Sequence, residues 1–218
     1  MFTQIKTLIT KEIKTEWRQR SALSAIVIYV VSTVFITYLS FKKVVNVPTW
    51  NALFWINIVF AGINAIAKSF MADTKGFQLY AYITFKPSVV ILAKVVYNLL
   101  LMLALSIITL FFYQLFMGSL IENVSVFLFT VVLGSMGFAG ILTLVSAIAA
   151  KASQNMTLMA ILSFPVLIPL LLTVIKLSKS AIDGLPWSIC YPYILILLAL
   201  NVLIIALSYI LFPYLWRE

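Results

Sequence analysis

Six long apolar stretches constrain this chain more than any other feature. They lie near Ala22–Leu39, Trp50–Ala67, Val89–Met117, Val124–Ala150, Met156–Ile175 and Pro192–Leu211. A helix needs roughly 20 such residues to cross a bilayer, so each stretch reads as a span. Composition agrees: 64% of residues are hydrophobic and 10% charged, against about 45–50% and 25% in globular domains. The expected fold class is an all-α integral membrane protein.

Six spans return both termini to one side, and charge indicates which side. Lys6, Lys11, Lys14, Arg18, Arg20, Lys68, Lys75, Lys86, Lys94, Lys151 and Arg217 share the side of the amino terminus, eleven of the fifteen basic residues. Lys42, Lys43, Lys176 and Lys179 occupy the other. Cytoplasmic flanks carry the excess of Lys and Arg, which puts both termini in the cytoplasm. Trp50, Trp187, Tyr191, Tyr214 and Trp216 stand where an aromatic belt would place them. The net charge of +9 is then explained by topology and anionic lipid, without nucleic acid.

Residues 1–21 precede the spans. On a helical projection Phe2, Ile5, Leu8, Ile9, Ile13 and Trp17 gather on one side and Lys11, Lys14 and Arg18 on the other, the pattern of an amphipathic interfacial helix. Glu12 and Glu16 fall inside the apolar stripe, where they either snorkel to the headgroups or meet a partner cation. The charged region is too long for a signal peptide, and no small-residue cleavage site follows the apolar run.

Two spans carry local signals. Gly134, Gly137 and Gly140 in LGSMGFAG form a face for close helix packing or a flexible point. Pro165 and Pro169, four apart in SFPVLIPLLL, each remove a backbone donor and predict a bend or break at mid-membrane. That bend is either a static kink or part of a shaped cavity or moving element.

The connection from Lys68 to Lys94 is the longest polar stretch. Asp73 and Gly76 suit a turn, FQLYAYITF follows, and Pro87 suits the first turn of a new helix. Phe77, Tyr80, Ala81 and Thr84 share one face of that segment. An aromatic segment of this kind rests on the bilayer or inserts into a groove on a soluble partner.

Several chemistries lack their usual residues. The sequence has no histidine, the commonest general base and axial haem ligand. Its one cysteine, Cys190, cannot form a disulfide within the chain. Glu12, Glu16, Asp73, Glu122, Asp183 and Glu218 are the only acids, all in flanks or loops, which disfavours an ion-coupled secondary transporter. No G-x-x-x-x-G-K-[ST] motif occurs, so ATP hydrolysis would require a separate subunit. No catalytic residue and no metal site is expected. Were haem to pass nearby, Tyr, Met and Cys190 would remain as ligand types.

Taken whole, the chain resembles the haem exporter protein B family, the membrane permeases of the bacterial cytochrome c maturation system. The resemblance rests on Ser163–Leu172 (SFPVLIPLLL), Leu92–Asn98 (LAKVVYN) and Leu211–Glu218 (LFPYLWRE), and covers nearly the full length. It implies a permease of the type-2 ABC exporter class: an interfacial helix over residues 1–21, then a six-span domain over 22–218 with a coupling loop at 68–94. It also implies a homodimer that binds a separate ATPase, which holds the ATP, in the bacterial inner membrane. Partners would include a haem-handling membrane protein and a periplasmic haem chaperone, with haem handled by the complex rather than held by this chain. Asp73, Gly76, Phe77 and Tyr80 become the coupling-loop residues, and Glu12 and Glu16 candidate ATPase contacts. Related permeases often carry an acidic residue just after the loop glycine, whereas Phe77 and Gln78 follow Gly76 here. The alternative is a passive membrane scaffold that translocates nothing.

Overall fold

The computed structural model describes residues 2–18, 20–41, 46–67, 84–152 and 156–217. Among these the chain forms seven helices and no strand: α1 (Phe2–Arg18), α2 (Arg20–Phe41), α3 (Val47–Ile66), α4 (Pro87–Met117), α5 (Val124–Ala152), α6 (Met156–Ile182) and α7 (Trp187–Arg217). Helices α2 to α7 are each long and apolar enough to cross a membrane. The all-α membrane fold expected from the apolar stretches is therefore the one observed. Helix α4 has 31 residues, about 46 Å at 1.5 Å per residue, longer than the roughly 30 Å hydrocarbon layer.

Local signals set the helix ends. Asn46 caps α3, its Oδ1 accepting the Thr49 N–H at 3.0 Å, with Pro48 in the first turn. Pro87 opens α4, where its missing N–H costs nothing because the first-turn donors have no helical partner. Asn123 joins two connections at the end of the bundle away from α1. Its N–H donates to the Ala181 carbonyl at 2.9 Å and its Nδ2 to the Leu185 carbonyl at 3.1 Å. Gly184 turns the chain there with φ +72°, and the Glu122 carboxylate occupies the place a Cβ would take.

Helix α5 is the hub, packing on α3, α4, α6 and α7, and hydrogen bonds hold it to most of them. Asn98 of α4 donates to Thr143 at 2.8 Å, and the Ser106 and Ser135 hydroxyls meet at 2.9 Å. Ser146 reaches the Ile66 carbonyl of α3 at 3.3 Å, and Asn201 of α7 reaches the Leu133 carbonyl at 3.2 Å. Each such bond in a membrane bundle contributes about 0.6 kcal/mol, so packing supplies most of the cohesion and the bonds select the register. At the periphery, α2 satisfies Thr33, Thr37 and Ser40 on its own carbonyls, which lets a polar hydroxyl sit in an apolar span.

Helices α3 and α6 share a buried lock. Asn51 Nδ2 donates to the Ile175 carbonyl at 2.8 Å, Trp55 Nε1 donates to Ser178 Oγ at 2.8 Å, and the Ser178 hydroxyl donates to Asn51 Oδ1 at 2.7 Å. Farther out, Trp50, Phe54, Tyr113 and Phe127 stack edge and face across α3, α4 and α5, with Trp50 and Tyr113 ring centres 5.1 Å apart.

Candidate functional site

The candidate site is the end of the bundle where α1 docks. A second hydrophobic cluster, separate from the main core, joins Leu8 of α1 to Val90 and Ile91 of α4, Ala147 of α5 and Phe212 of α7. Ile5 and Ile9 pack against it. The Ile5, Leu8 and Ile9 part of the amphipathic stripe is thus spent on protein contacts at the ends of three spans, while Lys6, Thr10, Ile13 and Lys14 remain exposed.

Inside that stripe, Glu12 faces a cation. Lys94 Nζ donates to Glu12 Oε1 at 3.4 Å, and Lys11 Nζ reaches the same oxygen at 3.1 Å. The Lys94 side chain is 4% exposed and that of Glu12 13%, so neither charge is hydrated freely and each gains from the other. Of the two fates the projection allows for Glu12, the partner cation is the one observed. The side chain of Glu16 lies outside the described residues, as do Asp73, Gly76, Phe77 and Tyr80. What is described of the connection is its carboxyl flank, Thr84 to Lys86, from which α4 departs. Lys94 belongs to α4, since residues 87–94 already form its first two turns.

The three glycines of α5 meet three different large neighbours. A Cβ at Gly134 would stand 3.0 Å from the Trp55 ring, one at Gly137 2.7 Å from Leu170, and one at Gly140 2.6 Å from Ile204. Steps of three residues rotate the contact by about 60° each time, so the row turns from α3 to α6 to α7. Pro165 and Pro169 sit in an unbroken α6 with their rings exposed on the outside of the bundle. Their neighbour Phe164 lies edge-on to Phe60 of α3, ring centres 5.9 Å apart. Thr173 donates to the Pro169 carbonyl at 2.8 Å.

A docked amphipathic helix, six spans and a glycine-lined hub describe an architecture; relatedness comes from comparison of sequences. A family model described as CcmB protein matches residues 3–214. The chain belongs to the CcmB family. No curated protein and no solved structure matches it. Membership in the CcmB family makes the chain a multi-pass membrane component of the haem exporter ABC system for cytochrome c maturation. The family is one of membrane permease subunits.

For a CcmB protein the residues missed from sequence are Lys94, as a buried group, and the Asn51–Trp55–Ser178 lock. The signal for Lys94 was its place within LAKVVYNLLL, seven residues after the helix-opening Pro87 and running straight into apolar sequence. Among the described residues no three of His, Cys, Asp or Glu come together as a metal-binding group. Cys190 is buried in the main core, in the first turn of α7.

Proposed function

We propose that this chain is the permease subunit of an ABC complex in the bacterial inner membrane, with both termini and the 68–86 connection in the cytoplasm. Two copies pair and bind a separate ATPase, and the complex works with a haem-handling membrane protein and a periplasmic haem chaperone. ATP binding and hydrolysis take place on the ATPase, and the haem, as cargo, is ligated elsewhere in the complex. The permease transmits the ATPase's conformational change across the membrane, driving haem export or release of the loaded chaperone.

The observation that carries this reading is the docking of α1 on the first turns of α4, which brings the amino-terminal helix and the flank of the 68–86 connection to one end of the bundle. The same end holds most of the basic residues, in keeping with a cytoplasmic face. In the connection, Asp73 and Gly76 suit a turn by residue type, and Phe77 and Tyr80, three residues apart in the sequence, are the anchors we assign to a groove on the ATPase. Truncating an aromatic anchor in a desolvated pocket costs on the order of 2 kcal/mol, about a 30-fold loss of affinity.

The test is the double variant Phe77→Ala with Tyr80→Ala. It should insert normally but release the ATPase from detergent-solubilised complexes, or uncouple hydrolysis from cytochrome c maturation. A variant that holds the ATPase with normal affinity and matures cytochrome c normally would remove the loop as the coupling element. Retained complexes with lost coupling would keep the permease and reject the passive scaffold.

A further inference from the structure

We propose that Lys94 is a positioning residue: through Glu12 it fixes the register of α1 on α4, so that the two helices move as one piece. The inference rests on the permease reading, because it concerns how motion at the ATPase side enters the bundle. Helix α4 begins at Pro87, directly after the connection assigned to the ATPase, and Lys94 stands seven residues into it.

The physical case starts from the contact that surrounds the pair. Ile5, Leu8 and Ile9 join Val89, Val90, Ile91, Val95 and Phe212 in one apolar cluster, and apolar contact specifies register less sharply than a charge pair does. An ion pair does impose one. Glu12 and Lys94 are 82 residues apart in sequence and meet at 3.4 Å, with Lys94 buried and Glu12 partly so. A buried pair is a poor stabiliser compared with two apolar side chains of similar size, since both ions lose their hydration. Its best-attested use is to specify register, because sliding separates the buried Lys94 from the carboxylate it faces on the other helix. Lys11 shares the Glu12 oxygen from the more exposed side, so the carboxylate is held between two cations and α1 is anchored beyond its midpoint. Without the pair, α1 could stay docked by its apolar stripe yet slip against α4, and a displacement of α1 would no longer be delivered to the early turns of that span.

The experiment uses the full chain in detergent, with its complex where one forms, and two readouts. Trypsin cleavage at Lys6, Lys11 and Lys14 reports whether α1 is docked, because proteolysis follows the population of the released helix. Cytochrome c maturation reports coupling. Lys94→Met takes from the partly buried Glu12 its cation on α4, and should raise cleavage by about tenfold or more and lower maturation. Lys94→Arg, which keeps the charge, should restore both. The decisive variant is Glu12→Leu with Lys94→Leu: protection should persist while maturation falls with the ATPase still bound, an outcome that a purely stabilising pair would not give. Wild-type maturation in the double leucine variant would overturn the proposal, as would unchanged cleavage in Lys94→Met or failure of Lys94→Arg to restore protection. Absence of any bound ATPase from the wild-type complex would instead count against the permease reading, and would leave the cleavage results to stand by themselves.

Discussion

Ser178→Ala is the sharpest test of how α3 and α6 are held together. The hydroxyl is buried, accepts from Trp55 Nε1 at 2.8 Å, and shares its one proton between Asn51 Oδ1 at 2.7 Å and the Val174 carbonyl at 2.6 Å. Removing it leaves a buried indole N–H and an amide oxygen each short of one partner. Interhelical bonds in membranes average about 0.6 kcal/mol, so losing two costs at least about 1 kcal/mol. Two stranded polar groups raise the cost toward about 3 kcal/mol. For a chain of this size each kcal/mol corresponds to about 2–4 °C of melting temperature, giving an expected fall of about 2–12 °C. The assay is thermal unfolding of the purified protein in detergent, with Ser188→Ala, at an exposed position, as control. Asn51→Leu should weaken the effect of Ser178→Ala, because the two share one bond; the cycle should show coupling of about 0.5 kcal/mol or more. A Ser178→Ala protein that melts with the control, or strictly additive substitutions, would refute the lock. Trp55 also packs over Gly134, so a freed indole should disturb α5 as well as α6.

Two further outcomes follow from topology and from the proline pair. A reporter fused after Glu218 should be cytoplasmic and one inserted at the exposed Asp183–Gly184 turn that follows α6 periplasmic; the reverse pattern would invert the bundle and remove α1 from the ATPase side. Replacing Pro165 and Pro169 together with Ala should leave insertion and assembly intact, since each change favours the helix by up to about 3 kcal/mol in intrinsic propensity. If their exposed face serves a moving or substrate-facing surface, cytochrome c maturation should fall in that variant; normal maturation would leave a dispensable kink.

The spans were legible because an apolar run of sufficient length has few other fates, and Pro87 announced the start of α4 because its missing donor fits a first turn. The surroundings of α1 were less legible. A stripe of Ile5, Leu8 and Ile9 gives the same periodicity whether it faces lipid or protein, and only the fold shows it against Val89–Val95 and Phe212. Lys94 was hidden for a related reason. A lysine near the end of a span ordinarily snorkels to the interface, and its pairing with a residue 82 positions away leaves no trace in local spacing. The glycines of α5 signalled close packing, yet three residues of identical type could not reveal that Trp55, Leu170 and Ile204 would be their respective neighbours.

The central place of α5 has a consequence for biosynthesis. The chain emerges amino terminus first, so α5 enters the membrane when only α2, α3 and α4 are present to receive it. Its bonds to α4 at Thr143 and Ser135, and to α3 at Ser146, are available at once. The surfaces at Gly137 and Gly140 are not, because Leu170 and Ile204 have yet to be synthesised. Until α6 and α7 arrive, half of the hub is an open furrow of glycine and unshielded backbone, including the Leu133 carbonyl that Asn201 will later cover. A nascent chain stalled before α7 therefore leaves the Gly140 surface and the Leu133 carbonyl uncovered, and a finished one covers both with its final span.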